Sequence, residues 1–82
     1  MFTAKFISVN RGRSKESGIP WFRVEMIADT VNGNNKVLQA FCTENAYNGC
    51  ASLKSMQDVK VGVGVNDNGY LVINVIKAAQ QQ

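Results

Sequence analysis

The residues best suited to chemistry are cationic and aromatic, and they lie close together in the first third of the chain. Arg11, Arg13 and Lys15 alternate with small or polar residues, and Trp21 and Arg23 follow a Gly-Ile-Pro turn. Guanidinium and ammonium groups bind phosphates, while an exposed indole provides a flat surface on which a nucleic-acid base can stack. This combination is typical of a groove that binds single-stranded nucleic acid.

The distribution of charge along the chain points in the same direction. The chain of 82 residues has a formal net charge of +3, but residues 1–23 carry five basic residues and one acidic residue, a net of +4. Residues 24–82 carry four basic and five acidic residues, a net of −1. Positive charge confined to one segment creates a local field that attracts an anionic partner.

Side chains that commonly support catalysis or bind metals are scarce. The chain has no histidine, which is the commonest general base and metal ligand. Its two cysteines, Cys42 and Cys50, match no zinc-binding spacing, and we expect both to be buried, reduced thiols. A binding protein with no enzymatic activity, no cofactor and no metal is therefore expected.

No apolar run is long enough for a membrane span and no signal peptide is recognisable, so a soluble, cytoplasmic protein without a membrane partner is expected.

Alternation of apolar residues predicts five β-strands. The predicted strands span residues 1–9, 21–30, 36–43, 59–65 and 70–77. Tight turns at Asn32-Gly33 and Asn68-Gly69 join the second strand to the third and the fourth to the fifth, because Asn-Gly tolerates the positive φ of such turns.

The remaining segments differ in kind. Residues 10–18 have no apolar face and are predicted to form a mobile loop, and residues 78–82 are predicted to fray. Between residues 43 and 57, helical spacing and a potential N-cap at Thr43 predict a short helix or an irregular connection. Five strands with a helix between the third and fourth is the element order of the OB-fold barrel. We therefore expect an all-β, five-stranded antiparallel OB-like barrel forming one domain over residues 1–82, although a small open sheet or an SH3-like barrel shares most of these signals.

The faces of the strands determine which residues are free to bind. On the second strand the core face is predicted to hold Phe22, Val24, Met26 and Ala28. This places Trp21 and Arg23 on the opposite face, so an exposed Trp21 is favoured over one that covers a dimer contact or a barrel end. On the last two strands the predicted core residues are Val59, Val61, Val63, Val65, Leu71, Ile73 and Val75.

Several other residues are candidates for the same binding surface. Phe41, Tyr47 and Tyr70 could provide further stacking platforms, although aromatic residues at such positions more often serve packing. Lys77 could line a groove, although an isolated strand lysine is usually only solvated. The cations in residues 11–23 have a competing interpretation as a solvated, charged loop, and their proximity to Trp21 favours phosphate binding.

Short motifs spread over most of the chain carry a family resemblance. They are the N-terminal strand, the entry into the second strand formed by Arg11, Gly18, Pro20 and Trp21, and the closing strand pair VKVGVGVNDNGYLVINVIK. In these features the chain resembles the small single-stranded-DNA-binding (helix-destabilising) proteins of filamentous bacteriophages and related mobile elements.

The resemblance implies an OB-like barrel that acts as a two-fold homodimer. Such dimers coat single-stranded DNA cooperatively and without sequence preference, protecting it during replication of the phage or element in a bacterial host. By position, Arg11 and Arg13 would contact phosphates and Trp21 would take the place of the aromatic residue of the DNA-binding wing. Lys77 falls where the family tends to have a basic residue. Arg23 departs from the pattern, since an apolar residue is usual there.

Two alternatives remain open at this point. An RNA-binding barrel, such as a translational repressor, would share these features, because nothing in the sequence distinguishes the 2′-hydroxyl. A protein-interaction module could instead dock a partner chain through the Trp21 face. Nucleic-acid binding should weaken steeply with added salt, whereas apolar docking should barely change.

Overall fold

Five strands close into one barrel, and one short helix lies between the third strand and the fourth strand. The computed structural model describes residues 2–79. The elements are β1 (Phe2–Arg13), β2 (Pro20–Asp29), β3 (Asn35–Cys42), α1 (Glu44–Gly49), β4 (Asp58–Val65) and β5 (Leu71–Ala78). Around the barrel the strand order is β1-β2-β3-β5-β4. The predicted OB-like barrel with its short helix is confirmed, and the predictions for Met1 and residues 80–82 lie outside the described residues.

The barrel closes through two pairings between strands that are not neighbours in sequence. β1 pairs antiparallel with β4 from Phe2 opposite Val61 to Lys5 opposite Asp58. β3 pairs with β5 at Cys42 and Ile73, and this contact is parallel. The purely antiparallel pairing expected from the hairpins is therefore wrong at this one seam. The reason is that α1 and β4 intervene, so that β3 and β5 run in the same direction.

The interior is apolar and is filled by the inner faces of the strands together with α1. The buried residues are Ala4, Phe6, Val24, Met26, Cys42, Ala46, Cys50, Val59, Val61, Ile73 and Ile76. Thr43 is confirmed as the N-cap of α1, because its Oγ1 accepts a hydrogen bond of 3.2 Å from the backbone N–H of Ala46. This helix start directs Ala46 into the barrel.

Both cysteines are buried and free, as predicted. Burial, with a smaller contribution from Cys42, raises the pKa of Cys50 to about 11. Burial also raises the pKa of Cys42. Because the thiolate is the reactive form of cysteine, both side chains are inert packing groups at neutral pH.

The predicted mobile loop over residues 10–18 is wrong in its first half. β1 continues to Arg13, and its last residues pair with β2 as far as Arg13 opposite Pro20. The connection is shorter, and it is closed by a hydrogen bond of 2.9 Å from Ser14 N–H to the Ile19 carbonyl. Polar side chains do not prevent strand formation here, because the backbone hydrogen bonds to β2 satisfy the main chain.

The predicted core faces of the last two strands are correct for only part of their length. Val63, Val65 and Leu71 are 54%, 68% and 74% exposed. The register shifts between Gly62 and Val63, so that Ile76 rather than Val75 enters the core. Beyond Val61 the described part of β4 pairs only with β5, and the end of this hairpin extends past the barrel. Ala78, predicted to fray, belongs to β5.

Met26→Ala should lower the free energy of unfolding by about 2–5 kcal/mol, because Met26 is 0% exposed and its truncation leaves a cavity. Urea unfolding followed by circular dichroism measures this loss. The control Val31→Ala, in the exposed turn between β2 and β3, should change stability by less than about 0.5 kcal/mol. Similar small losses for both variants would contradict the assigned core.

Candidate nucleic-acid interface

Trp21 lies on the outer face of the barrel, as the alternation of β2 predicts. Its strand neighbours Val24 and Met26 are 1% and 0% exposed on the inner face. Trp21 itself is half-buried, because its ring lies over Gly12, the residue opposite it on β1. A Cβ atom at position 12 would come within 2.5 Å of the ring. The absence of a side chain at Gly12 therefore makes room for the indole.

An aromatic and a cationic side chain accompany Trp21. The ring of Phe41 lies 6.5 Å from the Trp21 ring, centroid to centroid, at an interplanar angle of 78°. Phe41 is 56% exposed and stands opposite Arg23 in the β2–β3 ladder. The Arg23 guanidinium carbon is 5.4 Å from the Trp21 centroid, within cation–π range. We call Trp21, Arg23 and Phe41 the stacking patch.

A polar pair follows the stacking patch along the same two strands. Glu25 stands opposite Gln39, and Gln39 Nε2 donates a hydrogen bond of 2.8 Å to Glu25 Oε2. With Asn10 and Arg23 these residues border a depression of about 40 Å³. Alternation with Val24 and Met26 predicts that Glu25 lies on this face. The only sequence signal for the pairing of Glu25 with Gln39 is the Asn-Gly turn, which fixes the register between β2 and β3.

Arg11 and Arg13 lie on the other face of the β1–β2 hairpin. They stand opposite Phe22 and Pro20, whereas Trp21 stands opposite Gly12. The expectation that the cations of residues 11–23 lie beside Trp21 is therefore not met for these two arginines. Because β1 extends to Arg13, strand alternation fixes both arginines on the inner side of the hairpin.

The two arginines border a cavity of about 680 Å³, which we call the arginine cleft. Tyr47 of α1 lines this cleft, and the centroid of its ring lies 5.0 Å from the centroid of the Phe22 ring. Tyr47 thus serves packing as well as lining the cleft. Arg13 Nη1 donates a hydrogen bond of 3.0 Å to the Gly18 carbonyl, which ties one guanidinium to its own hairpin.

The other predicted site residues are more dispersed. Lys15 is exposed in the turn between β1 and β2. Lys77 stands on β5 directly opposite Lys60 of β4, and two like charges at such a position repel one another. Tyr70 is exposed in the β4–β5 turn. Since neither β4 nor β5 pairs with β2, Lys77 and Tyr70 are not part of the stacking patch.

Within residues 2–79 no three His, Cys, Asp or Glu side chains come together in a way that could hold a metal ion. In the same part of the chain, no helix has the length and apolar character needed to cross a membrane.

Comparison with protein-family models, with curated proteins and with solved structures finds no significant match to this chain. The family resemblance drawn from the sequence therefore stays a prediction. The fold assignment rests on strand order and register alone.

Gly12→Ala should displace Trp21 without unfolding the barrel, because the new methyl group would occupy the space of the ring. We expect the fluorescence emission to shift to longer wavelength and acrylamide quenching to increase, since the displaced indole is more exposed. Trp21 is the only tryptophan, so the signal reports this residue alone.

Gly64→Ala is the matched control. Its methyl group would lie 2.9 Å from the Asn74 amide and not near the indole, so the emission should stay unchanged. An unaltered spectrum in Gly12→Ala would show that the ring does not lie over Gly12.

Proposed function

We propose that the protein binds single-stranded DNA through the stacking patch, without requiring a particular sequence, and that it is not an enzyme. The half-buried Trp21 ring and the exposed Phe41 ring, which lie together beside Arg23 on the outer face, are the observation that carries this proposal. Because the two rings are inclined at 78°, each offers its own plane to a different base. Aromatic stacking accepts every base, since every base has a π-face, and Arg23 is available to a neighbouring phosphate.

The charge of the β1–β2 hairpin supports the same function. Trp21 and the two arginines lie on opposite faces of the β1–β2 hairpin. From Ser8 onward β1 pairs only with β2 among the described strands. A strand that passes round this free edge would meet Trp21 on one side and Arg11 on the other. Lys15, at the tip of the hairpin, adds to the positive field that attracts the phosphates.

The proposal extends to a homodimer that coats DNA during replication of a phage or mobile element in the bacterial cytoplasm. A single small domain with few basic groups binds weakly, and linking two sites raises the overall affinity. Exposed apolar side chains on the β4–β5 hairpin support an interface with a second copy, because such clusters commonly mark interaction sites. These side chains are Val63, Val65, Tyr70 and Leu71.

Trp21→Ala should weaken binding of a labelled oligo(dT) by roughly 1–3 kcal/mol, the usual contribution of one base–aromatic stack. Fluorescence anisotropy at low salt measures this loss. Lys36→Ala is the control, because it removes a full positive charge at the start of β3, away from the patch. Equal losses in the two variants would mean that binding is diffuse electrostatic attraction, and tighter binding of oligo(rU) than of oligo(dT) would favour RNA as the ligand.

The double substitution Arg11→Gln with Arg13→Gln should reduce the slope of log affinity against log salt by roughly 1–2, because about two phosphate contacts are lost. The measurement is the same anisotropy titration at several salt concentrations. The matched control, Lys36→Gln with Lys54→Gln, removes the same charge elsewhere and should change the slope less. An unaltered slope in the arginine variant would show that DNA phosphates do not bind in the arginine cleft. Binding by the native protein that does not depend on salt would instead favour a protein partner that docks through apolar contacts.

A further inference from the structure

An acidic residue lies beside the stacking patch, where a surface that bound only phosphates would gain nothing from it. Glu25 follows Arg23 at a spacing of two residues on β2, and its partner Gln39 precedes Phe41 by two residues on β3. Residues two apart on a strand share a face and are separated by about 7 Å. Phe41 stands opposite Arg23 and is therefore a diagonal neighbour of Glu25 in the ladder, so a base stacked on Phe41 has its edge within reach of the Glu25 carboxylate.

The Glu25 carboxylate is held in place by a hydrogen bond from a neutral amide and forms no ion pair within residues 2–79. Gln39 Nε2 fixes Oε2 at 2.8 Å, and the ion pair found within residues 2–79 joins Lys5 to Asp58 instead. Arg23, the nearest cation along β2, lies over the Trp21 ring. Each carboxylate oxygen has two lone pairs, so both oxygens of Glu25 can still accept hydrogen bonds from a ligand.

A carboxylate distinguishes the bases by the donors on their Watson–Crick edges. Guanine presents two adjacent donors, N1–H and the N2 amino group, which match the two oxygens of one carboxylate. Adenine and cytosine present one amino donor next to a ring nitrogen that accepts, and thymine presents one N–H between two carbonyl oxygens. Single-stranded bases are commonly read on this edge while they stack on aromatic side chains.

We propose that the stacking patch prefers guanine to thymine, because the Glu25 carboxylate, oriented by Gln39, accepts both donors of a stacked guanine. The preference rests on the proposed function and refines it: any base can stack on the patch, but a guanine stacked on Phe41 gains two charge-assisted hydrogen bonds from Glu25. Asn10, which stands on β1 opposite Arg23, borders the same depression and provides a further amide there.

Competition with unlabelled oligonucleotides tests this preference directly. Labelled oligo(dT) bound to the native protein is displaced by a 12-nucleotide oligo(dT), by the same oligonucleotide with every third base replaced by guanine, or by one with inosine at those places. We expect the guanine oligonucleotide to compete about tenfold better than oligo(dT), in the range of one bidentate base contact. Inosine keeps N1–H but lacks the amino group, so it should fall between them.

The substitution Glu25→Gln tests whether Glu25 causes the preference for guanine. The glutamine amide preserves the size of the side chain but replaces one acceptor with a donor, so the ratio of guanine to thymine affinity should fall close to one. Glu16→Gln is the matched control, because it removes the same charge in the turn between β1 and β2 and should leave that ratio unchanged.

The possible results separate this inference from the proposed function. If the native protein binds all three oligonucleotides equally well, the guanine preference is wrong while single-stranded DNA binding stands. If Glu25→Gln keeps the native ratio, Glu25 is not the reader and the inference is overturned. If none of the oligonucleotides binds at low salt, the proposed function itself fails.

Discussion

The closed barrel imposes a strict alternation on β2, and the surface chemistry depends on it. Val24 and Met26 are almost completely buried, so every second residue from Trp21 onward must face outward. A slip of one residue would bury Arg23 and Glu25 without partners and expose the core residues, a change that costs far more than any surface contact could return. The packing of the interior thus fixes an indole, a guanidinium and a carboxylate in one outward row.

Pairing with β1 and β3 converts this row into a two-dimensional surface. Gly12 leaves space for the indole, and the β2–β3 register brings Phe41 and Gln39 beside it. The opposite side of the same β1–β2 hairpin carries the arginine cleft. Trp21 and the two arginines are therefore separated onto opposite faces of the β1–β2 hairpin, while Phe41 of β3 extends the aromatic surface on the side of Trp21.

Local signals in the sequence were sufficient for the order of the strands and the short helix, the N-cap of α1 and the outward position of Trp21. Each of these depends on residue alternation, an Asn-Gly turn or a capping side chain within a few positions. The placement of Arg11 and Arg13 required knowledge of the partner strand, because a polar segment becomes a strand only where β2 is available to pair with it. The register shift near Gly62, which brings Ile76 rather than Val75 into the core, likewise depends on the pairing of β4 with β5 and has no local signal.

The central claim is that single-stranded DNA lies across the outer face of β2. The most direct measurement is a ¹H–¹⁵N NMR titration of the native protein with a short oligo(dT), with the indole N–H of Trp21 resolved from the backbone amides. The largest chemical-shift changes should occur at the Trp21 indole and at the amides of Arg23, Gln39 and Phe41. Changes confined to the β4–β5 hairpin or to the turn between β2 and β3, with the Trp21 indole unmoved, would contradict the account.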